Sequence, residues 1–97
     1  MPSEIKKLML SEMYEFGKKI LAEMKEDKTL IEIVNKTDYK NSMKIITSDF
    51  DAMIKPMISK KPRLQKFYQD NVLECDAIFS NFKQNFLFYA QDQKMYR

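Results

Sequence analysis

The sequence predicts an all-α protein, a small bundle of three to four helices with long N- and C-terminal helices. Three observations carry that expectation. Apolar residues recur at alternating steps of three and four through both ends of the chain, the spacing of one helix face. One glycine and three prolines in 97 residues leave little turn chemistry for a β-sandwich or barrel. A hydrophobic share of 44%, with seven Phe and five Tyr, supplies one modest core and argues against disorder. We read residues 1–97 as a single helical domain packed up and down.

Pro2 to Lys25 reads as the first long helix. Ile5, Met9, Met13, Phe16, Ile20 and Met24 form its stripe, and Leu10, Tyr14 and Leu21 widen it, as expected where a helix touches two neighbours. Gly17 falls inside this apolar face. A helix-interior glycine costs about 1 kcal/mol against alanine, so Gly17 marks either a tolerated substitution or a close helix crossing.

Glu26 to Lys28 reads as a connection. Thr29-Leu30-Ile31-Glu32 fits the capping-box pattern and opens a short second helix. The β-branched run through Ile31 and Val34 leaves an α+β alternative, in which Thr29–Lys36 and Met43–Thr47 pair as a short hairpin. Asn35 to Ser42 is the most polar stretch and reads as a loop. Met43 to Lys55 reads as helix, with Ser48-Asp49 as a start signal and Pro56 as its end.

Pro62 to Arg97 is the dominant stretch. Its stripe runs through Leu64, Tyr68, Val72, Cys75, Phe79, Phe82, Phe86, Tyr89 and Tyr96, with Ser59 as a cap before Pro62. Unbroken, such a helix spans about 52 Å, whereas a compact chain of this size is about 32 Å across. The helix must therefore break or project. Ser80 and Asn81 are its weakest local positions, because both side chains compete for backbone hydrogen bonds.

The sequence argues against catalysis. It has no histidine, which removes the commonest general base and the usual zinc ligand. The paired carboxylates Glu12/Glu15, Asp49/Asp51 and Asp70/Glu74 lie on polar faces or near caps, with no metal-ligand pattern and no phosphate loop. No cofactor is expected. The lone Cys75 sits in the apolar stripe beside Glu74 and Asp76, which reads as a core thiol. One unpaired cysteine, no signal peptide and no membrane-length apolar run suggest an intracellular, cytoplasmic setting.

Two features point to binding. Seven of the twelve positions from Ile78 to Tyr89 are apolar. One stripe of that helix can fill the chain's own core, but Leu73, Leu87, Phe88 and Met95 lie off it. They are the expected partner-binding residues of a non-enzymatic protein-binding module: a small subunit, adaptor or inhibitor that docks on another protein or on a second copy of itself. The alternative comes from charge. Acids and bases balance through residue 55, Lys60, Lys61, Arg63 and Lys66 add four positive charges with no acid between residues 56 and 66, and the remainder carries one excess acid, giving the net +3. These four cations at a helix start are the expected anion-binding residues, for nucleic acid or another anionic ligand.

Overall fold

A computed structural model describes residues Ser3–Lys94, and Met95, one of the expected partner-binding residues, lies outside that range. The described residues form five helices and no strand: α1 (Ser3–Glu26), α2 (Lys28–Asn35), α3 (Tyr39–Ser59), α4 (Pro62–Asp70) and α5 (Val72–Gln91). The hairpin alternative for residues 29–47 is thereby overturned. The burial pattern gives the reason. Leu30, Ile31 and Val34 are buried while Ile33 is 45% exposed, a helical rather than an alternating pattern.

The helix starts differ from those expected. Asp27, not Thr29, caps α2: its side chain accepts the Leu30 N–H at 3.1 Å. Asp27 lies three residues before that N–H, the spacing an N-cap requires, and the connection from α1 shrinks to this one residue. Asp38 caps α3 by accepting the Asn41 N–H at 2.8 Å. The expected loop 35–42 therefore contracts to residues 36–38, and Ser48-Asp49 lies inside a helix. Pro56 does not end α3 either, since Lys60 N–H still bonds the Pro56 carbonyl at 3.2 Å. Every fourth residue of α3 is buried, through Ser42, Ile46, Phe50, Ile54 and Ile58. That stripe holds the helix together across the one hydrogen bond a proline removes.

The long C-terminal stretch breaks at Asn71 rather than at Ser80-Asn81. The Asn71 side chain donates to the Phe67 carbonyl at 3.0 Å, and its N–H bonds the Tyr68 carbonyl at 3.2 Å. This local satisfaction lets the chain turn between α4 and α5. Ser80 and Asn81 stay helical and exposed.

Helix α5 is the central element, packed against each of the other four. Lys6 meets Glu74, Tyr14 meets Phe82 and Lys25 meets Tyr89, so α1 and α5 run parallel. Phe50 meets Phe79, Asp51 meets Lys83 and Thr37 meets Gln91, so α3 runs antiparallel to α5. The three long helices thus form an up-down-up bundle, with α2 and α4 at its two turns. The body is elongated, 53 × 20 × 18 Å. At Gly17 α1 meets α5 with no room for a side chain. The missing side chain leaves the space that the ring of Phe82 fills.

Candidate docking surfaces

The expected partner-binding residues separate in the structure. Leu73 is 86% exposed and Phe88 is 61% exposed. Leu87 is fully buried, which removes it as an anchor on the folded chain. The correction has a physical cause. The short helix α2 packs on the C-terminal half of α5, where Asn35 Nδ2 donates to the carbonyls of Ala90 at 2.9 Å and Gln93 at 2.7 Å. The second apolar side of α5 at this end therefore finds a home inside the chain. A short helix docked back onto the last one is a long-range event with no local sequence signal.

The outer face of α5 has a second property. From Ala77 to Gln91 its exposed residues are Ala77, Ser80, Asn81, Gln84, Asn85, Phe88 and Gln91, none of them charged. The one charged residue in that span, Lys83, is drawn aside to Asp51 at 3.0 Å, with its side chain 15% exposed and its ammonium 5.4 Å from the Phe50 ring centre. In a chain with 32% charged residues this strip is distinctive. Phe88 lies within this strip, and Leu73 lies one turn before it, past the exposed Glu74 and Asp76, fifteen residues or about 22 Å from Phe88 along the helix. Beside Phe88 lies an open depression of about 590 Å³, lined by Lys25, Asn85, Tyr89, Gln91, Asp92 and Gln93. Tyr14, 49% exposed, rests on Phe82 at 5.1 Å between ring centres and borders the strip from α1.

The four cations of the α3–α4 turn are all exposed, but they are not equivalent. Lys61 pairs with Glu12 at 2.8 Å and lies over Phe16, and Lys66 pairs with Asp70 at 3.4 Å. Lys60 and Arg63 have no ion-pair partner among the described residues. Ser59, expected to cap α4, instead donates to the Pro56 carbonyl at 3.4 Å. The N-cap position belongs to Lys61, whose side chain leaves the first N–H groups of α4 without a side-chain acceptor. Beside this turn α1 and α4 frame a groove of about 590 Å³, with Ile5, Leu8 and Met9 on one wall and Pro62 and Leu64 on the other.

The titrating groups of the interior are tuned away from ionisation. Burial, with help from Asp76 and Glu74, pushes the Cys75 thiol up to about 11. Burial and a 2.8 Å hydrogen bond to Asp76 push the Tyr68 hydroxyl up to about 12. Both groups are held protonated at neutral pH, a structural rather than a reactive setting. No three Cys, Asp or Glu side chains among the described residues gather closely enough to hold a metal ion. Nor is any described helix long and apolar enough to cross a membrane. No protein family, curated protein or solved structure matches this chain.

Proposed function

We propose that this chain is a non-catalytic protein-binding module that docks through the outer face of α5, with Leu73 and Phe88 as its anchors. The observation that supports the reading is the uncharged exposed strip from Ala77 to Gln91, which carries Phe88 at 61% exposure, with Leu73, 86% exposed, one turn before it beyond Glu74 and Asp76. Scattered apolar residues are ordinary on a protein surface. Loss of charge from four turns of a helix face is the compositional mark of an interface centre. A partner surface over Phe88 and the strip would remove a large exposed apolar side chain from water without desolvating an ion of α5, while Glu74 and Asp76 would stand at the rim beside Leu73. The basic turn offers the weaker reading, because two of its four cations already have carboxylate partners.

The test places a photoreactive amino acid at position 73, at position 88, or at the exposed control position Lys40, in the cells that make the protein. A crosslinked product shared by 73 and 88 and missing from 40 supports the reading. Its mass then separates a second copy from a different protein. Products that are the same at all three positions, or no product at 73 and 88, would sink it.

A further inference from the structure

The groove at the α3–α4 turn lies away from the outer face of α5. Lys6 turns toward Glu74 of α5 at 2.6 Å. Leu8, two residues later, is about 200° round the helix and lines the groove instead. α1 and α4 each sit in the bundle, yet they do not pack directly on one another to any extent. A second depression of about 360 Å³ adjoins it, sharing Met9, Pro62 and Arg63 and reaching Lys66, Phe67 and Asp70. Together the two depressions make an interrupted slot along α4, nine residues or about 13 Å. That is room for two to three turns of a helix, not for a point ion.

The slot has an apolar floor and a basic rim. Ile5 is 44% exposed and Leu8 70% exposed. Lys60, Lys61, Arg63 and Lys66 stand over it against two carboxylates, Glu12 and Asp70, and each carboxylate is already held by a lysine. Lys60 and Arg63 are the cations of this turn without a carboxylate partner among the described residues, beside a helix N-terminus with no side-chain cap. An occupant must bring apolar groups to Ile5, Leu8 and Met9 and anionic groups to Lys60 and Arg63. Nucleic acid fits poorly, since the nearby aromatics do not present open faces for stacking: Phe67 is 2% exposed and Phe16 lies under Lys61. A flat lipid surface would meet the outer Ile5 and Leu8 but not Met9 and Leu64, which are less exposed in the groove between the two helices.

We propose that the slot between α1 and α4 binds an acidic amphipathic helix of a partner protein, with its apolar face on Ile5, Leu8 and Met9 and its carboxylates on Lys60 and Arg63. The mode is helix-in-groove recognition, with anchors spaced three and four residues apart and charge fixing the direction of the helix. The site is independent of the docking reading for α5 and stands if that reading fails.

The probe is a synthetic helix of about four turns, leucine at every third or fourth position and glutamate elsewhere, titrated into the full chain and followed by amide NMR shifts. Saturable shifts centred on residues 5–9 and 60–66 are expected. The double substitution Lys60→Glu with Arg63→Glu should weaken binding at least about tenfold, and Leu8→Asp should do the same. All three positions are exposed, so circular dichroism of these variants should match the parent. A scrambled peptide of the same composition should bind far less. Equal binding by the scrambled peptide, shifts that map to α5 instead, or no saturation at millimolar peptide would each overturn the proposal. Tighter binding to phosphatidylcholine–phosphatidylserine vesicles than to the peptide, lost in the same variants, would overturn it in favour of a membrane surface.

Discussion

The ring of Phe82 fills the space that a side chain on Gly17 would need. A Cβ built at Gly17 would overlap ring atoms Cδ2 and Cε2 and approach Cγ at 3.3 Å. The ring cannot simply swing away, because it is almost wholly buried and Tyr14 lies against it. On propensity alone Gly17→Ala should stabilise α1 by about 1 kcal/mol. Overpacking a core contact costs about 1–3 kcal/mol, so the predicted net effect is destabilisation, read as a lower urea midpoint. Phe82→Leu in the same chain should recover part of the loss. A Gly17→Ala variant more stable than the parent would mean that α1 and α5 sit further apart.

Alkaline pH should unfold the protein through Cys75 and Tyr68. Both groups have folded-state pKa values raised, to about 11 from 9.0 and to about 12 from 10.0. The unfolded chain gives up these protons first, so the folded state binds more protons above about pH 9. Their contribution to stability is complete below pH ~9 and is lost as the pH climbs through the folded values. Urea midpoints should be level from neutral pH to about 9 and then fall, with a shallower fall in Cys75→Ala. At pH 8 Cys75 should react with a thiol reagent only as fast as the protein opens. A burst of labelling in the native state would contradict its full burial.

Asn35 ties α2 to the end of α5. Its amide donates to the carbonyls of Ala90, in the last turn of α5, and Gln93, just beyond the helix end. Asn35→Ala removes these donors and should cost about 1–2 kcal/mol. Amide hydrogen exchange gives the sharper reading: protection should drop in α2 and in the last turn of α5 while the centre of α3 is unchanged. A uniform loss across all helices would mean that α2 and α5 open only with the whole bundle.

The legible part of this fold was the part carried by local periodicity. The stripes of α1 and α5, apart from the exposed Ile5 and Val72 at their starts, and the core position of Cys75 follow from spacing within one helix, and of the two readings open at Gly17 the tight contact is the one found. What could not be read depended on competition between near-equal local signals or on distant packing. Asp27 and Thr29 are both good caps two residues apart, and the tertiary fit of Leu30, Ile31 and Val34 selected Asp27. Pro56 is a strong stop signal locally, yet buried Ile54 and Ile58 on either side carry the helix through it. The candidate site divides the same way. Leu73 and Phe88 stand off the main stripe as periodicity predicts, whereas Leu87 is buried in the helix onto which α2 docks from more than fifty residues away.

Leu87 and Phe88 therefore make the most informative pair of neighbouring substitutions. Leu87 is 0% exposed and Phe88 is 61% exposed. Truncating a buried leucine to alanine costs about 2–5 kcal/mol, the spread reflecting how far the cavity can collapse. Truncating an exposed side chain usually moves stability by less than about 0.5 kcal/mol. Leu87→Ala should thus lower the urea midpoint strongly while Phe88→Ala leaves it nearly in place, although phenylalanine is the larger residue. The Asp variants sharpen the contrast. Phe88→Asp should keep the helical circular dichroism of the parent, and Leu87→Asp should lose it, because a carboxylate there is buried without a partner. Equal losses from the two alanine variants would mean that Phe88 is covered in solution, and the change in solution mass with concentration would then show whether a second copy covers it.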